Sequence, residues 1–345
     1  MKRHAVSSKV VGLLALLGAL ALVGCGDEEV SDDNGGQENN ADNNAATNNA
    51  GNNAANNAAN NNTATNNAGN NAAEPTEHEI RLEGGMAYIP LGDFWMGCNE
   101  AIDTRCRDNE KPQHKVLLDA FWIDALEVTV AQYRECVDAG SCMPPYDYAA
   151  SGGFCNYGGP VHDNHPVTCI KIAEAQAYCG WKGKRLPSEA EWEKAARGGC
   201  EGWGEGCQAA TPLYPWGNDL PTCDRAMFTP LTGPSCAQEG TGPFGTLGAV
   251  GGREAGASPY GVQDMAGGVW EWTQDTFSAT YYANSPEKNP INTSTDGQQE
   301  EGLAGFSVRG GGFSDQEISI RASARNFQPV HDGIDYLGFR CARGE

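Results

Sequence analysis

The stretch Ala177-Tyr-Cys-Gly-Trp-Lys-Gly-Lys-Arg-Leu-Pro-Ser-Glu-Ala-Glu-Trp-Glu-Lys-Ala-Ala-Arg-Gly-Gly199 decides the fold. Its beginning belongs to a helix predicted over residues 173–182, helical by composition and closed at Gly183, with no convincing N-cap in front of it. Ser188 and Glu191 then stand at capping-box spacing. They predict a second helix over residues 189–197, stopped by Gly198-Gly199. Upstream, Thr129 and Gln132 form another such box, and Gly140 supplies a stop, so a third short helix is expected over residues 130–138.

The remainder reads as strands and turns. Met86 to Met96 is a strand signal broken by Pro90-Leu91-Gly92, as a hairpin turn would break it. Residues 116–124 read as a further strand with mixed alternation. Gly, Pro, Ser and Thr dominate residues 199–258, and no internal repeat is present. The fold class is α+β, with few helices, short strands and much irregular backbone.

Composition agrees. The chain has 345 residues with 45 Gly, 18 Pro and 13 Cys, which excludes a helical bundle or coiled coil and suggests a loop-rich exported fold. The formal charge is −22, and it becomes more negative if Lys2, Arg3 and Lys9 leave with a signal peptide. So acidic a chain argues against nucleic acid and anionic lipid as partners, because counterion release needs clustered Lys and Arg. With Cys25 set aside, twelve cysteines remain and none forms a CxxC pair, which speaks against zinc and thioredoxin-like chemistry. Near neighbours in sequence suggest loop staples instead: Cys98–Cys106, Cys136–Cys142, Cys200–Cys207 and Cys223–Cys236.

The N-terminus carries an address. A basic start precedes an apolar run from Val10 to Val23, too short to span about 30 Å of hydrocarbon, so residues 1–24 read as a signal peptide. The run ends in Leu22-Val23-Gly24-Cys25, which resembles a bacterial lipobox and implies lipidation of Cys25. Each buried methylene contributes about 0.8 kcal/mol, so a multiply acylated Cys25 anchors stably where one chain would not. Gly26 in place of Asp favours the outer over the inner membrane of the cell envelope. Residues 25–79 are then a tether. Asn supplies 17 of the 33 residues from Asn39 to Asn71, a run that cannot offset its own ordering entropy. A flexible chain of about 50 residues reaches about 40 Å. The folded domain is expected over residues 80–345.

Within that domain the strings MAYIPLGDFWMG from Met86, EKPQHKVLLDAFWIDALEVT from Glu110, HPVTCI from His165, the stretch quoted first, YPWGN from Tyr214, YGVQDMAGGVWEWTQD from Tyr260, RGGGF from Arg309 and GFRCAR from Gly338 occur in that order. Together they resemble the formylglycine-generating enzyme family, the sulfatase-modifying factors, from about residue 82 onward. The resemblance implies a variant of the C-type lectin fold. It also implies a disulfide between Cys179 and Cys341. A second family pair falls on Ala196 and Ala322, and the joint loss of both halves is what two facing positions would show.

Family members that make formylglycine hold copper between two cysteines. Laid on RGGGF, that pattern puts Gly312 at the family's Ser and Asp315 at the first copper Cys, and residues 315–325 contain no Cys. Cu(I) wants two thiolates, so no copper is expected and no catalytic residue is assigned. Calcium is expected. One family site maps onto the side chains of Asp264 and Glu271 and the main-chain carbonyls of Gly267 and Val269, hard oxygen donors on an irregular loop. A second family site is lost, since Met227 stands in place of an Asn and the segment near Gly242 lacks the acid.

Other residues read as structural. His162 and His165 are three apart but have no third ligand. Glu191 caps a helix, and Glu189 and Glu193 favour its dipole. Trp270 and Trp272 alternate as a strand would, one inward and one toward a cleft. Arg309, Arg321, Arg325 and Arg340 are expected to pair with acids. The sequence thus points to a lipid-anchored envelope protein whose domain binds or assembles. Segments 142–161 and 277–305, with Tyr146, Tyr148, Tyr157, Tyr281 and Tyr282, would present contact area to a protein or glycan. The alternative is an oxidoreductase or protein-modifying enzyme with an unrecognised metal site. Relatives that oxidise small thiols with non-haem iron carry a helical domain with a His triad, and this chain has six His and no such domain.

Overall fold

The computed structural model describes residues 79–145, 155–158, 162–201, 206–237, 247–294, 305–330 and 333–345. The signal peptide, Cys25, Tyr146, Tyr148 and Gly242 lie outside the described residues, as does the tether but for Glu79. Among those described, no helix is long and apolar enough to cross a membrane.

Three small sheets carry the domain. Strands β1 (Leu82–Glu83), β2 (Met86–Ile89), β5 (Phe121–Asp124) and β10 (Ala342–Gly344) form an antiparallel sheet in the order β1-β2-β5-β10. Strands β3 (Gly92–Met96) and β4 (His114–Leu118) pair with each other. The third sheet runs β8-β7-β6-β9, from β6 (Trp270–Thr276), β7 (Gly305–Arg309), β8 (Arg325–Pro329) and β9 (Leu337–Gly338), with β9 parallel to β6.

Two strand expectations need correction. Pro90-Leu91-Gly92 is no hairpin turn, because β2 gives both edges to β1 and β5 while β3 pairs with β4. The expected strand over 116–124 is two strands parted at Asp119-Ala120. At the break the Asp119 amide donates to the Asn289 side chain, and within β4 Leu117 bonds sideways to the main chain of Glu287 and Asn289.

The helices follow their local signals. Helix α1 (Val130–Asp138) starts at Thr129, whose hydroxyl accepts from the Gln132 amide while Gln132 answers the Thr129 amide. Helix α3 (Glu189–Arg197) starts on the Ser188–Glu191 box and stops at Gly198, whose φ of +90° suits a residue without Cβ. Helix α2 (Ile172–Trp181) begins at Lys171, whose amide donates to the Glu174 carboxylate at 2.9 Å. A short α4 (Cys207–Ala210) follows.

Three apolar clusters fill the interior among the described residues, the smallest around Tyr214, Phe228 and Ile320; the two larger ones hold α1, α2 and α3. One joins β2 to β5 with Ala190, Trp192, Ala195 and Ala196 of α3 and with Ala322, so the two positions of the lost family disulfide share one core. The other packs α1 and α2 against Trp270, Trp272 and Phe339. Both tryptophans are buried, Trp270 at 4% and Trp272 at 0% exposure.

Helix α3 is charged yet almost wholly buried. Glu189 accepts from Arg325 at 2.7 and 2.8 Å and from Arg309 at 3.4 Å. Glu193 pairs with Arg309 and, at 3.0 Å, with Arg197. Burial opposes ionisation of Glu189, but Arg325 and Arg309 outweigh it and hold its carboxyl below the usual range. Asp275 accepts the Glu189 amide at the helix start. Burial, and then the charge of Glu189, push its carboxyl up to about 7. The four arginines expected to pair do so: Arg321 meets Asp103 and Glu110, and Arg340 meets Glu271.

The tyrosines expected to present contact area do not all do so. Tyr282 is 2% exposed, lies under the Arg325 guanidinium and stacks on His114. Tyr281 packs on the β2–β5 core and Tyr157 on the α1–α2 core. Apolar ring area beside a core is withdrawn from water.

Twelve cysteines form six disulfides. Five are those named above, including Cys179–Cys341, and Cys155–Cys169 is the sixth. Cys179–Cys341 ties α2 to the end of the chain across a sequence separation of 162. Closing so long a loop contributes about 4–5 kcal/mol in the chain-entropy model. The double substitution C179A/C341A should therefore lower the denaturant-unfolding free energy by about that amount, with the other five bridges intact by mass spectrometry.

Candidate functional site

The segment from Tyr260 to Val269 leads into β6 and brings the family strings together. Asp264, Gly267 and Gly268 all have positive φ. A Cβ on Gly267 would lie 2.0 Å from the Met227 carbonyl oxygen, so glycine is required there. The Gly267 amide donates to Gly310 O, the Gly268 amide to Met227 O, and the Phe313 amide to Gly268 O, each at 2.8 Å. The loop is thereby clamped between the 227 segment and Gly310-Gly311-Gly312-Phe313.

On one side of this clamp stands Asp315, which the resemblance sets at the family's first copper Cys. Asp315 Oδ2 accepts from the Trp270 indole at 2.7 Å and from the Gly312 amide at 2.8 Å. A Cβ on Gly312 would meet Asp315, Trp270 and Tyr336 at 3.4 Å, ordinary contact, so the space a side chain would take there is present. Copper does not fit these donors. Asp315 is a hard carboxylate, and all twelve cysteines from Cys98 onward are bound in disulfides. Cys98, Asp103 and Cys106 also lie together, but the sulfurs are bonded to each other and Asp103 faces Arg321.

On the other side lie two of the four residues expected to hold calcium, Asp264 and Gly267, in the wall of a small cavity to which Val269 does not contribute. Asp264 accepts from the Gly251 amide and lines this cavity, of about 20 Å³, with Glu127, Met227, Arg253, Gly267 and Gly268. Glu127 had no role in the sequence reading. It is 3% exposed, and its Oε2 has no hydrogen-bond partner. Burial first, and then the charge of Asp264, push its carboxyl well above the usual range. Its only sequence signal was an acid within the apolar string Leu126-Glu127-Val128. Glu271 is not on this cavity wall. Its oxygens accept from Arg340 at 2.7 and 2.8 Å and from the Trp192 indole at 2.9 Å. An orphaned buried carboxylate beside a second acid, with main chain brought close by two glycines, fits a hard cation.

His162 and His165 stack edge to face at 5.1 Å, with neither Nδ1 hydrogen-bonded. Elsewhere a cavity of about 570 Å³ is walled by Trp95, Pro212, Trp216, Pro259 and Tyr260.

Residues 70–345 match the Sulfatase-modifying factor enzyme 1-like domain family. The chain belongs to that family. It is 31% identical over 306 residues to a formylglycine-generating enzyme of Thermomonospora curvata, covering 78% of this chain and 96% of the relative. A hercynine oxygenase of Mycolicibacterium smegmatis is 32% identical over 211 residues, which is 55% of this chain and 45% of that one. Among solved structures, PvdO from Pseudomonas aeruginosa superposes with a TM-score of 0.57 at 24% identity, covering 79% of this chain and all of that one. This likeness is one of fold.

Asp315 acts as a structural acceptor. Asp315→Ala would strand the Trp270 indole and the Gly312 amide, lowering stability by about 1–3 kcal/mol. Asp315→Asn, whose amide oxygen can accept both bonds, should lose less than half as much. Urea titration of the three proteins reads the difference.

Proposed function

We propose that this chain is a lipid-anchored protein of the cell envelope whose domain is a binding or assembly module and not a copper oxidase. The observation that carries this reading is the state of the sulfur. Oxidation of a substrate thiol at Cu(I) needs a pair of thiolates on the protein. The cysteines from Cys98 onward are paired with one another, and Asp315 is bonded to Trp270 and Gly312. What remains of the family design is a disulfide-stapled scaffold. The cavity between Trp95 and Trp216 offers aromatic faces to a protein or glycan, a place better supported than Tyr281 and Tyr282, which are turned inward.

The anchor is lipidated Cys25, the tether holds the domain off an outer membrane, and nucleic acid is not a partner of so acidic a chain. One calcium ion serves the 264–271 loop, held by Asp264 and the carbonyls of Gly267 and Val269, with Glu271 the remaining ligand by resemblance. The rival reading, a thiol- or protein-modifying oxidoreductase, is favoured by the names of the relatives at 31% and 32% identity.

Two experiments decide between them. The full chain, supplied with Cu(I) and a sulfatase-derived Cys peptide, is expected to leave the peptide's thiol intact by mass spectrometry. Aldehyde at enzymatic rates would establish the rival. Cys25→Ala is expected to move the protein from the detergent-dependent membrane fraction to the soluble periplasm, or to leave the signal uncleaved; an unchanged fractionation counts against the anchor.

A further inference from the structure

Two of the strings picked out in the sequence, MAYIPLGDFWMG from Met86 and YPWGN from Tyr214, meet away from the loop before β6. Trp95 of the first and Trp216 of the second line the cavity of about 570 Å³. Phe94 and Met96 of β3 are buried in the core, and strand alternation sends Trp95, between them, to the opposite face. Among the described tryptophans Trp95 alone has neither an indole hydrogen bond nor a ring or cation partner. Trp216 is fixed in place: its ring stacks on Tyr214 with 2° between the planes, and its indole donates to the Asp219 carbonyl. Pro212, Pro259 and Tyr260 add to the wall. A concave site of this size, mostly apolar and aromatic with a few polar groups, has the form of a small-ligand pocket.

The polar groups of the wall select the chemistry. Its charged residues among those described are one cation and one acid, Arg197 and Glu201, and each has its own counter-ion: Glu193 at 3.0 Å for Arg197, and Lys194 at 2.9 Å for Glu201. Lys194 is saturated, because its ammonium also donates to the carbonyls of Pro90 and Gly92. No free charge therefore waits for an ionic ligand. A donor and an acceptor are still offered. Arg197 makes its hydrogen bonds among the described residues through Nη1, which leaves Nη2, and Glu201 keeps lone pairs beyond those that Lys194 and Tyr260 use. An extended peptide finds no edge here to add a strand to. The carbonyls of β3 that face away from β4 are taken: Asp93 O by the Cys200 amide at 2.8 Å, and Trp95 O and, just past the strand, Gly97 O by Arg197 at 3.2 and 2.8 Å. What fits is an uncharged ligand with flat apolar faces and a rim of hydroxyl groups, each able to accept from Arg197 and donate to Glu201. A pyranose ring has this build.

We propose that this cavity binds an uncharged oligosaccharide, with one pyranose ring packed on Trp95 and its hydroxyl groups shared between Arg197 and Glu201. This rests on the binding-module reading above and names its ligand class, a glycan and not a protein. Tyr260 is a positioning residue: its hydroxyl accepts from the Gly199 amide at 2.9 Å and donates to Glu201 at 2.8 Å, which holds the carboxylate at the wall. Residue 199 must be glycine for this, since a Cβ there would lie 2.1 Å from Glu201 Oε2.

The test uses the full chain in a detergent without a sugar headgroup, titrated by calorimetry. The probes are the neutral trisaccharides cellotriose, maltotriose and chitotriose, the charged trigalacturonate, and a proline-rich peptide. Wild type should bind at least one neutral trisaccharide saturably and more tightly than the galacturonate. Trp95→Ala should weaken that binding by about tenfold, and Trp95→Phe, which keeps a smaller aromatic face, by less. Oxidative footprinting of wild type, read by mass spectrometry, should show Trp95 protected by the bound sugar and the exposed Trp181 unchanged; this readout needs no variant to fold. Failure of all three neutral sugars to bind, galacturonate binding as tight as theirs, undiminished binding in a folded Trp95→Ala, or an unprotected Trp95 overturns the proposal. Binding of the proline-rich peptide in place of the sugars, dependent on Trp95, overturns the saccharide and keeps the binding module. That module reading falls separately, on aldehyde formation in the copper assay.

Discussion

The domain is organised around two carboxylates of one helix turn, Glu189 and Glu193, set between arginines from two strands. Arg309 of β7 and Arg325 of β8 are directly opposite in the antiparallel register. Like charges in that relation are destabilising, and both side chains are wholly buried. Only acids delivered from the adjacent helix make the arrangement tenable. Removing one member of such a buried group costs about 3–5 kcal/mol because a charge is left uncompensated. The same arginines also bond the carbonyls of Asn109, Ser278, Ala322 and Ser323. Helix, sheet and irregular loops are thereby locked to one point.

That device repeats where regular structure is scarce. Arg321 gathers Asp103 and Glu110 from the loop between β3 and β4, and Arg340 gathers Glu271 together with the carbonyls of Asp124 and Gln263. Disulfides close the same kinds of loop, and the buried Cys179–Cys341 bridge ties α2 to the segment before β10. A fold with few helices and short strands cannot rest on backbone ladders alone, so side-chain pairs and covalent staples supply what a larger regular core would.

Against this background the departures from the family become informative. Asp315, which the resemblance sets at the first copper Cys, is bonded inward to Trp270 and Gly312. A carboxylate that accepts both of these N–H groups is a structural acceptor beside the clamp. Across the clamp, Glu127 keeps a buried oxygen without a hydrogen-bond partner next to Asp264. One side of the loop holds an acid bonded to two N–H groups, and the other a buried acid with one oxygen unpartnered.

What the sequence determined by itself was whatever depends on neighbours along the chain. Helices α1 and α3 begin and end where Thr129–Gln132 and Ser188–Glu191 place their caps, because a capping bond spans three residues. Four short-range disulfides were legible from spacing. Cys179–Cys341 and the family itself were legible only through resemblance. Tertiary structure decided the rest. It buried all but one residue of a charged α3, split the Met86–Met96 segment between two sheets, turned Tyr282 inward and set Glu127 beside Asp264. Each of these depends on a partner remote in the chain, at separations such as 136 for Glu189 and Arg325. Burial and charge compensation belong to the space around a residue, and that space is assembled only when distant segments meet.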